Sequence, residues 1–330
     1  MLTVRPFQNR DWNDLFRVWD ANVYRPSGHF RPMRPEIFEE MIFAFPFYDY
    51  RALSVAVENS RIVGFSHACF GPNQNHSDFC TENGHICLVA ILPEVSDRLT
   101  VCRELILSAE QYLVQGGATT FYGGSPRPAA PFYHGYYGGA EPIGVSENDD
   151  YLITAYESLG FLRDETTARY SVDLQHYTIP FTPGTLNWNN DILRLDPNND
   201  PPIAKNLWEN VLYIRGRWIQ IKLSFRKNSQ MVARLYICVN AGTDDTIEKG
   251  VGAINQEASL CGIQVHNQFR QQGLAAYLLV ETLRYLINQT RIRRLTAQLY
   301  SGRKEDTILS NLFKSLHWRQ VDTGFVFKKG

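Results

Sequence analysis

The chain has 330 residues, 44% of them apolar and 20% charged, with a formal net charge of −1. That length exceeds one ordinary core and predicts two domains, while the composition excludes disordered and fibrous classes. The opening MLTVRPFQNRDW lacks the apolar stretch of a signal peptide, and no run reaches the length of a membrane span. A soluble cytoplasmic protein without a membrane partner is therefore expected.

In chain order, Leu2–Arg5 reads as a strand, Trp12–Ala21 and Arg34–Ala44 as helices, and Ala52–Glu58 and Ile62–Phe70 as a strand pair turned at Asn59-Ser60. The apolar run His85–Leu92 leads into a helix from Ser96 to Gln115, ended by Gly116-Gly117. A Gly/Pro/aromatic loop, a helix at Tyr151–Ser158 and a strand at Ala168–Leu174 complete the first half. The second half repeats the rhythm. Asn206–Val211 reads as helix, Trp218–Phe225, Val232–Cys238 and Ala258–Val265 as strands, and Gln272–Asn288 as helix. Strand Leu295–Leu299, helix Asp306–Leu316 and strand Phe325–Lys328 follow. The fold class expected is α/β (α+β): a tandem pair of mixed, mostly antiparallel sheets flanked by helices. The domains would be 1–175 and 176–330, joined by the Pro-bearing stretch Tyr177–Asn187.

Two further patterns agree with duplication. Placing Ile91-Leu92 over Val265-His266 gives an offset of 174 residues, and Leu159-Gly160-Phe161 over Leu316-His317-Trp318 gives 157. One insertion of 17 residues, in the loop around Gly123–Asp149, reconciles them. Charge also divides. Residues 1–175 carry 13 arginines, no lysine and 22 acids, a net −9, and residues 176–330 carry 20 basic and 12 acidic residues, a net +8. The second half has the sign that suits a polyphosphate ligand, without the dense basic stripe of a nucleic-acid binder. Six cysteines without a CxxC pair, mostly inside apolar runs, suit free buried thiols, and no metal site is expected.

The segment richest in chemistry joins strand Ala258–Val265 to the next helix through Arg270-Gln271-Gln272-Gly273-Leu274-Ala275. A glycine at such a turn lets backbone N–H groups converge on an anion, and the helix N-terminus adds partial positive charge. A turn glycine before an ordinary helix has the same local pattern.

This segment resembles the Arg/Gln-x-x-Gly-x-Gly/Ala acyl-CoA motif of the GNAT superfamily of N-acetyltransferases, over Leu260–Trp318. The resemblance implies that Arg270, Gln271, Gln272, Gly273, Leu274 and Ala275 cradle the pyrophosphate of acetyl-CoA. It also implies that backbone groups of Ile263 and Val265 pair with the pantetheine amides. In the family's late helix, Phe313 stands where a tyrosine often acts as general acid, and a phenyl ring cannot donate that proton. Asp306 replaces an asparagine that contacts CoA, and Asn311 lies nearby on the same helix. Glu257, at even spacing from Ser259, Cys261, Ile263 and Val265, is a candidate base or a solvated carboxylate. His266 and His317 read as loop histidines.

The first half keeps the late segment as Tyr156 to Phe161 but has Leu99 and Val101 where the cradle needs glycine and a small residue, with Ser96 and Asp97 in place of a cation. It therefore reads as a GNAT-like copy without ordinary CoA binding, in an architecture similar to mycothiol-synthase-like double GNAT proteins. Its loop Tyr122–Glu141 interleaves aromatics and glycines. Tyr133, His134 and Tyr136 there are candidates for binding a polar organic substrate, or else the loop packs at a domain interface. Two functions remain open from sequence. One is acyl-CoA-dependent acetyl transfer to an amine of a small molecule or peptide; the other is a non-catalytic acyl-CoA-binding or scaffold protein.

Overall fold

A computed structural model of the chain describes residues 1–23, 30–31, 33, 35–73, 75, 77–124, 132–133, 135, 141–180, 192–206, 209–210, 213, 217–239 and 256–330. The chain forms two compact units. The first comprises Met1–Thr167, Lys205–Leu212 and Asp322–Gly330, and the second Ala168–Ala204 and Tyr213–Val321. Against the expected division at residue 175, the units interleave in sequence.

In the first unit, β1 (Leu2–Pro6), β2 (Leu53–Glu58), β3 (Arg61–Pro72) and β4 (Phe79–Ile91) are antiparallel neighbours in chain order. Strand β5 (Thr120–Gly123) joins β4 in parallel. Its other neighbour is the C-terminal strand, whose Phe327–Lys329 pair antiparallel with Gly123–Phe121. Helix α1 (Trp12–Val23) packs its apolar stripe, Leu15, Val18 and Trp19, on β3 and β4. The expected helix Arg34–Ala44 is instead a short α2 (Pro35–Phe38) running into a π-turn at Glu39–Phe43. Ser66 on β3 donates to the carbonyl of Leu105, which seats helix α3 (Arg98–Gln115) on that face of the sheet. Leu105, Ile106, Ala109 and Leu113 of α3 and Leu152, Ile153 and Tyr156 of α4 (Asp150–Ser158) fill the core. A two-residue β6 (Val145–Ser146) and β7 (Leu162–Asp173) follow, the unit boundary falling inside β7.

In the second unit, β8 (Leu193–Asn198), β9 (Arg217–Phe225), β10 (Met231–Val239) and β11 (Gln256–Val265) are antiparallel. Strand β8 was not expected from sequence. It pairs with β9 and carries Pro197, a residue compatible with a sheet margin. Helix α5 (Leu274–Gln289) lays Leu278, Leu279, Leu283 and Leu286 against the sheet. Each fully buried leucine contributes about 1.5–3 kcal/mol of apolar burial. Strand β12 (Ile292–Tyr300) runs parallel to β11, and α6 (Lys304–Ser315) and β13 (Arg319–Lys329) finish the chain. The expected helix Asn206–Val211 lies partly outside the described residues. All six cysteines are free thiols, and no helix among the described residues is long and apolar enough to cross a membrane.

Candidate cofactor site

The second unit's site begins with a strand that leaves its neighbour. Strands β11 and β12 pair in parallel from Gln256 opposite Ile292, with a register shift after that pair, to Leu260 opposite Ala297, and no pairing follows. At the same point β11 bulges. Tyr236 and Ile237 are consecutive on β10, yet they oppose Gly262 and Leu260, so Cys261 is the extra residue. Beyond it, β11 pairs on one side only.

The open side can be assigned. The His266 N–H donates to the carbonyl of Val232 on β10 at 2.9 Å. Successive backbone groups point alternately, so those of Ile263 and Val265 point away from β10, along the unpaired edge. There the Val265 carbonyl accepts a bond from Arg270 Nε at 3.3 Å. An extended ligand with amide groups would meet the pattern a further strand would need.

Past a 3-10 turn at Asn267–Phe269, Arg270 is extended and Gln271 has φ of 61°. Gly273, the N-cap of α5, has φ 77° and ψ 3°, in the left-handed region that favours glycine. It supplies no side-chain cap, so the first turn of α5 presents its N–H groups without a built-in acceptor. Arg270, Gln271 and Gln272 are exposed, Gln272 Nε2 donating to the Gln268 carbonyl at 3.2 Å. Leu274 is buried and Ala275 half-buried behind them. This cluster, with Ile263 and Val265, brings together eight of the residues named from sequence.

The other candidates fall elsewhere. Because Cys261 is a bulge, alternation is broken there, and Glu257 and Ser259 lie on the face opposite Ile263 and Val265. The expected shared face is thereby corrected. Glu257 is buried and forms an ion pair with Arg294 on β12 at 2.8 Å. Asn311 is exposed, on the side of α6 away from buried Phe313. Asp306 accepts the Tyr300 backbone N–H at 2.8 Å, and so closes the turn into α6. Phe313 is fully buried and stacks on Trp318 with ring centroids 4.5 Å apart. His266 and His317 are exposed, as loop histidines should be.

Tyr133 belongs to the first unit and is 1% exposed. It stacks on Trp19, and its hydroxyl lies 3.0 Å from His67 Nδ1, so it packs an aromatic core rather than an open pocket. Burial lowers the pKa of His67 to about 3, so the ring is neutral. His134 and Tyr136 lie outside the described residues.

The first unit shows the same plan, closed. Its β4 bulges at Cys87, which precedes Cys261 by the same 174 residues as the sequence offset, and its pairing with β5 ends at Ile86. The N-terminus of α3, however, is capped by Asp97, whose carboxylate accepts the Thr100 N–H at 3.0 Å, and this bond lowers its pKa. An anion of the chain's own already holds the position a phosphate would take. The Ile91 carbonyl, equivalent to that of Val265, accepts from buried Asn22 Nδ2 at 3.0 Å. Sequence reasoning found Leu99 and Val101 but missed Asn22, which no local pattern marks.

No family model matches the chain, and no curated protein matches it in sequence. Solved structures do match in fold. A tandem GNAT protein from the clavulanic acid biosynthesis pathway superposes with TM-score 0.65 at 14% identity, covering 100% of this chain and 98% of that one. A glucosamine N-acetyltransferase region in a fungal multi-domain β-N-acetylglucosaminidase matches with TM-score 0.63 at 14% identity, over 100% of this chain and 38% of that one. A GCN5-related N-acetyltransferase from Sphaerobacter thermophilus gives 0.60 at 10% identity, over 99% and 95% of the two chains. The fold is that of the tandem GNAT acetyltransferases.

Proposed function

We propose that this protein is an acyl-CoA-dependent N-acetyltransferase that holds one acetyl-CoA in its second unit and acetylates an amine. The observation that carries this reading is the pairing of an uncapped, glycine-started helix α5 with the unpaired edge of β11. The pyrophosphate would accept N–H bonds at Gly273–Ala275, with Arg270 turning from the Val265 carbonyl to the phosphates. The pantetheine amides would pair with Ile263 and Val265, delivering the thioester to the bulge at Cys261. There the amine attacks the carbonyl carbon, and N–H groups of the open edge receive the oxyanion. The C–N bond forms, the C–S bond breaks, the amine's proton passes to solvent or a base, and the thiolate takes a proton from solvent. Glu257, held by Arg294 on the other face, is the carboxylate of β11 and the candidate for that base.

Gly273→Leu tests the site. A leucine in the left-handed region costs about 1–2 kcal/mol and puts a side chain where the phosphate would sit. The expected outcome is loss of CoA-dependent thermal stabilisation, which at saturating ligand amounts to about 2.7 kcal/mol at a hundredfold excess over Kd. Undiminished stabilisation would place the cofactor elsewhere.

The burial of Phe313 supports a second reading, an acyl-CoA-binding protein without turnover, since that ring supplies no proton. Thiol release from acetyl-CoA across an amine panel separates the two. Tight CoA binding with no release favours the second.

A further inference from the structure

We propose that the sheet face of the second unit opposite α5 holds an acceptor subsite for a carboxylate-bearing amine, built on Lys222, Arg234 and Tyr236; this rests on the acetyltransferase reading above. Directly opposed residues of an antiparallel pair share a face. Arg234 on β10 opposes Lys222 on β9 and Gln264 on β11, and one step along, Tyr236 opposes Gln220 and Gly262. These side chains therefore form one block beside the bulge at Cys261, where the thioester would arrive.

Charge, hydrogen bonding and space in the block all point to an anionic guest. Lys222 and Arg234 are like charges in directly opposed positions, an arrangement that costs stability, and neither forms an ion pair with a described residue. The carboxylate next across the sheet, Asp196, is taken by Arg194 at 2.7 Å. Arg234 donates to Gln264 Oε1 at 2.9 Å, and its guanidinium carbon lies 5.5 Å from the Tyr236 ring centroid, so these two described contacts leave its charge uncompensated. Tyr236 is 5% exposed, and its hydroxyl has no hydrogen-bond partner among the described residues, a state that proteins rarely tolerate without a use. At Gly262, across from that ring, an added Cβ would meet no described atom within 4 Å. A notch thus lies between an unpaired phenol and the reaction point.

A carboxylate satisfies all of this. It neutralises the opposed cations and accepts charge-assisted bonds from guanidinium and phenol. Its amine can then reach over Gly262, where no side chain intervenes, towards the thioester. The class implied is an amino acid, a short peptide or another aminocarboxylate.

The test uses the full chain, with glycylglycine, β-alanine and lysine compared with their carboxamides, and phosphoethanolamine as a second anion. Thiol release from acetyl-CoA is expected to show kcat/KM for the carboxylates on the order of 10–100-fold above the amides. Arg234→Gln combined with Lys222→Gln should erase that ratio by raising the carboxylate KM, with the KM for acetyl-CoA unchanged. Tyr236→Phe should raise the same KM severalfold. Neither change should lower Tm, because one relieves repulsion and the other removes an unpaired hydroxyl. Equal rates on acids and amides, discrimination that survives the double variant, preference for phosphoethanolamine, or a lower Tm with unchanged KM would overturn the subsite. Absence of both thiol release and CoA-dependent stabilisation would overturn the acetyltransferase reading instead. The subsite then stands or falls on whether glycylglycine stabilises the wild type and not the double variant.

Discussion

Single residues set the two units apart. Gly273 was legible in the sequence because a turn into a helix needs a residue that accepts positive φ, and its φ is 77°. The role of Cys261 was not legible. A bulge depends on how two strands register, and nothing about a cysteine announces one, so the face assigned to Glu257 came out reversed. Buried histidines make another residue-scale statement. His67 and His85 both have pKa values lowered to about 3 by burial, against an ordinary value near 6.5. The unfolded chain therefore binds protons that the folded unit refuses. Their stabilising contribution is complete above about pH 6.5 and is lost as pH falls towards 3, by up to about 1.4 kcal/mol per pH unit for each histidine. Thermal melts of His67→Gln across that window should show a shallower loss with acidification than the wild type. A slope equal to the wild type's would refute the neutral buried ring.

At the scale of elements, the two β-bulge-helix segments differ in how the helix begins. Helix α3 starts on Asp97 and α5 on Gly273. Leu99→Gly alone should not create a second CoA site, because Asp97 still caps α3 and Asn22 still occupies the Ile91 carbonyl. Titration calorimetry is expected to give one CoA per chain for both the wild type and this variant; two per chain would show that Leu99 was the sole obstacle. Long periodic elements such as α3, α5, β3 and β10 could be read from the sequence because their apolar spacing is set by the core they cover. Short or proline-bearing strands could not. β5 has four residues, and β8 contains a proline, so neither builds a pattern strong enough to stand out.

On the scale of the molecule, duplication was readable from one offset and one insertion, and the interleaving of the units was not. A hydrophobic alternation in Arg319–Lys329 predicts a strand without naming its partner, and Phe327–Lys329 pair with β5 of the first unit. Phe327 stacks on Tyr156 at 5.0 Å, and Asp322 accepts from Ser146 at 3.0 Å, both within that unit. Removing Asp322–Gly330 should therefore unfold or loosen the first unit while the second keeps its CoA response. Hydrogen exchange resolved by segment would read this as lost protection in β4, β5 and α4; protection retained there would contradict the pairing. A ribosome making this chain from the N-terminus meets the same fact as a delay. Thr167 has emerged long before Asp322 exists, so the first unit must wait with the edge of β5 uncovered while the rest is synthesised. The half that begins translation first is the one that can finish folding only at the end, and the demand for a chaperone falls on that interval.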